Sequence, residues 1–338
     1  MVSRSNTLDK VGRAALFKGQ IDNCAYPDLM MRFRVDESSI YPEFLDMYLR
    51  STEAVRHFQR SASGTSETMV KINKSVVENL LIPQPPLIEQ TAIADLLAIW
   101  DEAIGKTERL IAAKERRYAG LSVKLLFGNS TARSTKALRW FAVPDHWKIL
   151  RIGSIAKEVK AINDMGEDIP VLSCTKYDGL VDSLSYFGKQ VFSLDTSTYK
   201  VVSRGEFAYA TNHIEEGSIG YQDFYDRGLV SPMYTVFKTD KTIDDGYLYK
   251  VLKTEIYRHI FQVNTSASVD RRGSLRWNEF AKLPIPLPPI EEQQRIAEIL
   301  DNSRREISLL KQQVDALRRQ KRGLMQKLLT RVWRVRVG

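Results

Sequence analysis

The sequence predicts an α+β protein built on a duplicated plan: two globular parts rich in short strands, each followed by one very long helix. Three observations predict it. A late segment of the chain repeats an earlier one without a gap, and both copies carry apolar residues at heptad spacing. The stretch between them breaks into short β-branched and aromatic runs.

Residues 82–126 overlay 285–329 at a constant offset of 203. Identical pairs include Ile82/Ile285, Pro83/Pro286, Pro85/Pro288, Pro86/Pro289, Glu89/Glu292, Gln90/Gln293, Ile93/Ile296, Ala94/Ala297 and Leu97/Leu300. They continue through Ile104/Ile307, Arg116/Arg319 and Gly120/Gly323 to Leu126/Leu329. A repeat this long duplicates a whole module, not a solenoid unit. Weaker identities extend upstream, at Leu49/Leu252, Phe58/Phe261, Gln59/Gln262 and Ser63/Ser266. Residues 1–81 therefore correspond to the later part of the second globular part. Met1 falls opposite Arg204, so the first copy is expected to lack its front.

Each repeat core opens with a proline strip, Leu81-Ile82-Pro83-Gln84-Pro85-Pro86 and Leu283-Pro284-Ile285-Pro286-Leu287-Pro288-Pro289. Prolines this dense exclude helix and central strand and favour an extended, stiff connector. Pro86 and Pro289 then suit helix entry, and Glu89 and Glu292 place negative charge in the first turn. The first helix has a seam at Ile93, Leu97, Trp100, Ile104, Ile111, Tyr118, Leu121 and Leu125, interrupted at Thr107 and Lys114. The second has Ile296, Leu300, Ile307, Leu310, Val314, Leu317, Leu324 and Leu328, interrupted at Ser303 and Lys321. Steps alternating between four and three residues define a coiled-coil seam. A stripe that narrow needs a long partner helix, and the other copy is the nearest candidate.

Between the helices, 130–284 shows strand-like runs at Ile169-Pro170-Val171-Leu172, Gln190-Val191-Phe192, Phe207-Ala208-Tyr209 and Tyr234-Thr235-Val236-Phe237. Turn signals at Asp178-Gly179 and Arg227-Gly228 separate them. One helix is expected over 247–261. Pro144 and Trp147 open this domain after a linker at 128–136.

Composition limits the function classes. No apolar run approaches the roughly 20 residues that cross a bilayer, and the N-terminus lacks the apolar core of a signal peptide. Cys24 and Cys174 fall in different copies, which suits a reducing cytoplasm and no disulfide framework. A net charge of +9 is compatible with a polyanionic partner.

Catalytic motifs are scarce. Pro144-Asp145 followed by Glu158-Val159-Lys160 has the spacing of a nuclease centre, in which Asp145 and Glu158 would hold Mg²⁺ and Lys160 would orient water. His57, His146, His213 and His259 show no metal-ligand spacing, and no metal site is expected. There is no P-loop, dinucleotide fingerprint, methyltransferase glycine loop or Asn-Pro-Pro-aromatic motif. Recognition chemistry remains, in polar and basic residues interleaved with aromatics: Lys176, Tyr177, Lys189, Lys200, Asn212 and His213, the stretch 264–268, and Arg271, Arg272 and Arg276. Lys71 and Lys74 lie in the matching stretch of the first copy, after residues 61–68. Arg and Asn can bond base edges bidentately, while Lys and Ser/Thr position phosphates. The residues thus leave three classes open: a DNA-recognition scaffold, a metal-dependent nuclease, and a coiled-coil interaction protein without DNA function.

The Pro-x-Pro-Pro-apolar-x-Glu-Gln strip occurs at Pro83, Pro85, Pro86, Glu89 and Gln90, and again at Pro286, Pro288, Pro289, Glu292 and Gln293. Leading twice into a heptad helix around a globular domain, it resembles the specificity (S) subunit of type I restriction–modification systems. Pro144-x-x-Trp147 looks like the entry to a target-recognition domain of that family, and Gly228-Leu229-Val230-Ser231-Pro232-Met233-Tyr234 like its internal strand. The resemblance implies a cytoplasmic, non-catalytic DNA-binding chain with two target-recognition domains, the first incomplete here, separated by two long antiparallel helices forming a coiled coil. The expected segments are a partial first recognition domain at 1–81, strip and spacer helix at 82–128, the second recognition domain at 129–284, strip and helix at 285–331, and a tail at 332–338. It also implies double-stranded DNA, two methyltransferase subunits and restriction subunits as partners. No cofactor would be bound by this chain; S-adenosylmethionine, Mg²⁺ and ATP would belong to the partners.

Overall fold

A computed structural model describes residues 1–64, 69–128, 135–265, 273–330 and 332–335. The chain divides into two compact units, one of 1–113 with 307–338, the other of 114–306. No helix among the described residues is long and apolar enough to cross a membrane.

In the first unit, β1 (Val2–Ser3) pairs antiparallel with β3 (Met30–Met31), and β2 (Ser5–Asn6) with β4 (Val70–Lys71). Two short helices, α1 (Pro42–Leu49) and α2 (Thr52–Ser61), precede β4, and α3 (Lys74–Glu78) follows it. Pro42 starts α1 where a missing N–H is harmless, and the Ser51 side chain caps α2 by accepting from Ala54 N. Helix α4 (Leu87–Phe127) begins at the Pro86 carbonyl, which accepts from Glu89 N and Gln90 N. Its Ile93 and Leu97 join Phe44, Leu49, Phe58 and Ile72 in one core, with Leu328 and Leu329 from near the chain's end.

The second unit opens with the hairpin β5 (Thr135–Ala137) and β6 (Ala142–Pro144), then β7 (Lys148–Arg151) and β8 (Ala156–Val159). The hairpin β9 (Leu172–Thr175) and β10 (Gly179–Asp182) turns through Asp178-Gly179, with Gly179 at a φ of 72°. After α5 (Ser183–Phe187) come β11 (Lys200–Ser203), β12 (Phe207–Ala210), β13 (Ile219–Tyr221), β14 (Arg227–Val230) and β15 (Tyr234–Thr239). The central sheet is antiparallel in the order β13-β12-β15-β8, and Phe207 stacks on Phe237 across β12 and β15 at 4.9 Å. Helices α6 (Asp245–Leu252), α7 (Glu255–Asn264) and α8 (Trp277–Phe280) cover it, and β16 (Pro284–Leu287) leads into α9 (Ile290–Leu329).

Several local expectations are corrected. The single helix over 247–261 is two, because Thr254 caps a new start by accepting from Tyr257 N. Its partner break in the first unit falls at Ser51, at the same offset. Arg227-Gly228 is strand rather than turn: a Cβ on Gly228 would lie 2.6 Å from Leu172 Cδ1, so glycine serves close packing there. Gln190-Val191-Phe192 pairs with no strand among the described residues. Part of the 128–136 linker, namely 129–134, lies outside the described residues, as do 65–68 and 266–272.

The second proline strip forms a strand in a two-stranded sheet with β7. Pro284 and Pro286 alternate with Ile285 and Leu287, so the positions without an N–H face away from β7. On that side Tyr247 Oη donates to Pro286 O at 3.1 Å, and Tyr257 Oη donates to Pro284 O. In the first unit Tyr48 Oη donates to Leu81 O at 2.8 Å, the offset counterpart of the Pro284 carbonyl.

One glutamine clamps each strip to its domain. Gln90 Oε1 accepts from Tyr41 N at 2.8 Å, and its Nε2 donates to Ser39 O at 3.0 Å and Pro85 O at 2.8 Å. Gln293 repeats the set with Asp244 N at 2.8 Å, Thr242 O at 3.3 Å and Pro288 O at 2.9 Å. Both side chains are fully buried. Truncating Gln293 strands three backbone groups; truncating Gln90 strands two, because Ser39 O also accepts from Gln84 Nε2 at 3.4 Å. Gln90→Ala and Gln293→Ala should each destabilise the chain by about 2–3 kcal/mol, measured by urea unfolding; Gln→Glu at either site should also be unfavourable, because a carboxylate cannot donate.

Candidate nucleic-acid interface

Stretches of α4 and α9 pair within each unit. In the first unit Arg318 reaches Glu108 at 2.5 Å and Lys321 reaches Asp101 at 2.5 Å, so later residues of α9 meet earlier residues of α4. In the second unit Lys114 reaches Glu306 at 2.6 Å, and Leu121 and Leu125 pack with Ile296 and Leu300. The packing is antiparallel in both. Each seam position, from Ile93, Leu97, Trp100, Ile104, Ile111, Tyr118, Leu121 and Leu125 to Ile296, Leu300, Ile307, Leu310, Val314, Leu317, Leu324 and Leu328, is buried or half-buried. The polar interruptions Lys114 and Lys321 carry their amines out of the seam to carboxylates on the opposite helix.

Glu292, in the first turn of α9, receives the indole N–H of buried Trp147 at 3.2 Å and lies 3.2 Å from His146 Nε2. Trp147 N also donates to Pro144 O at 3.0 Å. The counterpart Glu89 is buried and pairs bidentately with Arg334, whose guanidinium pKa the carboxylate raises.

Of the sequence-selected recognition residues, Lys176 and Tyr177 occupy the β9–β10 tip, both exposed, with the Lys176 amine 5.2 Å from the Tyr177 ring centre. Asn212 and His213 lie in the 211–217 turn after β12. Arg276 is exposed ahead of α8, and neighbouring Leu275 N donates to Thr211 O at 2.9 Å, tying that segment to the same turn. Lys253 Nζ joins the tip to the turn, donating to Lys176 O at 2.7 Å and Gly217 O at 2.8 Å. The structure therefore gathers the backbones that carry Lys176, Tyr177, Asn212, His213 and Arg276.

Others stand apart. Lys200 is half-buried on β11 and donates to Tyr234 O at 2.5 Å, with its pKa lowered by burial, so its amine is engaged within the fold. Lys189 is exposed in the loop after α5. In the first unit Lys71 lies exposed on β4, and Lys74 forms an exposed ion pair with Glu78 at 3.2 Å. Arg271 and Arg272, with most of 264–268, lie outside the described residues.

The residues of the nuclease pattern fall on separate elements. Glu158 sits on β8 opposite Phe237 and pairs with Lys160 at 3.5 Å, while Asp145 is exposed in the turn before Trp147. Among the described residues the grouping able to offer three ligand atoms within 4.8 Å is His213, Glu215 and Glu216. Exposed trios of this kind also occur without an ion.

Sequence reasoning missed Lys253. Burial pushes its pKa down to about 8, with Arg304 on α9 and Arg258 on α7 adding to the effect and Cys174 on β9 and Asp178 at the tip opposing it. The only signal for it is the lysine placed just before the Thr254 cap.

The second unit thus combines a β-rich domain, an antiparallel stretch of the two long helices and an exposed basic and aromatic loop cluster. Residues 144–319 match the family model for the type I restriction modification DNA specificity domain, just over half of the chain. The chain belongs to that family and is a DNA specificity subunit of a type I restriction–modification system, itself non-catalytic. It is 25% identical over 347 residues to a putative type I restriction enzyme MjaX specificity subunit from Methanocaldococcus jannaschii, covering 99% of this chain and 78% of that one. A second relative there, the MjaVIII specificity subunit, is 25% identical over 309 residues, covering 86% and 71%. Its fold is similar to the crystal structure of the HsdS subunit from Thermoanaerobacter tengcongensis, with a TM-score of 0.52 and 19% identity, covering 88% of this chain and 72% of that one.

The depressed pKa of Lys253 has a sign that can be tested. Between about pH 8 and the ordinary 10.5, the unfolded chain still holds a proton that the folded chain has released. Stability rises with pH where the unfolded state binds more protons. Denaturant melts of wild type against Lys253→Met should show the difference shifting in favour of wild type across that window and staying flat below it.

Proposed function

We propose that this specificity subunit reads a bipartite DNA site, residues 129–284 forming one reading domain and 1–81 contributing to the other. The strips and helices at 82–128 and 285–331 act as the spacer, and 332–338 as a tail. The observation that carries this reading is the duplicated strip and helix: each unit holds its own antiparallel stretch of α4 and α9, clamped by an equivalent glutamine. Lys176, Tyr177, Asn212, His213 and Arg276 approach the duplex, the cations on phosphates and the planar side chains on base edges. Lys189, Lys71 and Lys74 add peripheral positive charge.

In the cytoplasm the chain binds double-stranded DNA and holds methyltransferase subunits, two by the duplication, together with restriction subunits. S-adenosylmethionine, Mg²⁺ and ATP serve those partners. The chain itself contributes position and sequence choice.

Each long helix measures about 60 Å at 1.5 Å per residue. A spacer of fixed length requires a fixed number of bases between half-sites, since one added base rotates them by roughly 34° on DNA of 10–10.5 base pairs per turn. Gel shifts of the methyltransferase complex on duplexes of varied spacer should show one preferred spacing; equal binding at every spacing would sink the ruler. Lys176→Ala should flatten the dependence of log affinity on log salt by about one unit, as expected for a lost phosphate contact.

A further inference from the structure

The break between α6 and α7 has a chemical result. Lys253 closes α6 as its C-cap, with φ −88° and ψ 1°, and Thr254 immediately caps α7. The Lys253 side chain is thereby free of either helix and bonds two loops far away in sequence, at Lys176 O and Gly217 O. Gly217 lies at a φ of 96°, a left-handed conformation that favours glycine, and a Cβ there would meet Lys176 O at 3.4 Å. The two loops therefore abut. Arg258, one turn into α7, adds a bond from Nε to Glu215 O at 3.4 Å and pairs with Glu255 at 2.6 Å.

The duplicated position behaves differently. Arg50 closes α1 as Lys253 closes α6, just before the Ser51 cap. Its guanidinium pairs with Asp46 of the same helix at 2.7 Å and is 56% exposed. The same break in the helix pair thus holds a loop-bridging amine in one copy and a local surface ion pair in the other.

We propose that Lys253 is the specificity-positioning residue of the second reading domain, fixing the β9–β10 tip against the 211–217 turn so that Lys176, Tyr177, Asn212 and His213 meet DNA as one surface. This rests on the DNA-reading function proposed above. Base discrimination requires donors and acceptors held to a fraction of an ångström by supporting contacts, and loops that must be ordered on binding lose free energy there. Lys253 does not touch DNA; it sets the relation between two groups that do.

The test uses the full chain, in complex with its methyltransferase partner, as wild type, Lys253→Met and Lys253→Arg. Two readouts are taken: amide hydrogen exchange in 175–179 and 211–217, and selection from a duplex pool with randomised sequence. Lys253→Met should speed exchange in both loops together and weaken base preference by about tenfold at the positions this domain reads, roughly one good base contact. Affinity for unselected duplex should stay within about twofold, because phosphate contacts supply most of it. Lys253→Arg should restore most of the preference, since it returns a multiply donating cation. Unchanged exchange in both loops overturns the proposal. So does faster exchange with unaltered selection, or an equal loss of affinity for all sequences, which would make Lys253 a phosphate contact. If wild type selects no sequence, the DNA-reading function falls and this role with it, whatever the loops do.

Discussion

An apolar stripe about one residue wide, running the length of two forty-residue helices, cannot stay exposed to water, and most of the architecture follows from hiding it. The second copy of the same helix hides it, laid antiparallel. The polar interruptions fall at different layers of the two copies, Thr107 and Lys114 in one and Ser303 and Lys321 in the other. The ion pairs Lys321–Asp101 and Lys114–Glu306 then draw the two lysines toward the rim. Surface pairs of this kind add little stability; they disfavour a shifted alignment, in which a lysine would lose its carboxylate.

The ends of the seam are fixed by polar groups that recur at the repeat offset. Gln90 and Gln293 make the same three bonds, and the carbonyls of Leu81 and Pro284 are both met by tyrosine hydroxyls, although from different helix positions, Tyr48 and Tyr257. The first-turn glutamates differ more. Glu292 is met by Trp147 and His146, from the segment that follows α4, whereas Glu89 is met by Arg334, from the segment that follows α9. In both cases the segment that follows one long helix supplies the partner of the glutamate at the start of the other. The duplication has kept the location of the contact and changed its chemistry from a neutral indole to a guanidinium.

How much of this was legible depended on the range of the interaction. The strips and the heptad helices could be read because their signals are local and periodic, and because the repeat supplies each with a second copy. The single helix over 247–261 was misread because a threonine cap can interrupt a good apolar pattern without a glycine or proline. Arg227-Gly228 looked like a turn because glycine usually marks one; here it makes room for Leu172. The loop cluster was visible only as residue types. What gathers it is a set of contacts across long sequence separations, chiefly those of Lys253 and the Leu275–Thr211 bond. It is also why Lys200, chosen by type alone, turns out to be held by Tyr234 O.

The alternating prolines of β16 carry a further consequence. Each strand of a two-stranded sheet normally leaves its outer row of donors and acceptors ready to recruit another chain. Here the outer row has no donors at Pro284 and Pro286, and its acceptors are occupied by the hydroxyls of Tyr247 and Tyr257. Nothing on that edge can template a third strand. The short segment that leads into α9 thus also carries an edge that resists pairing with another strand.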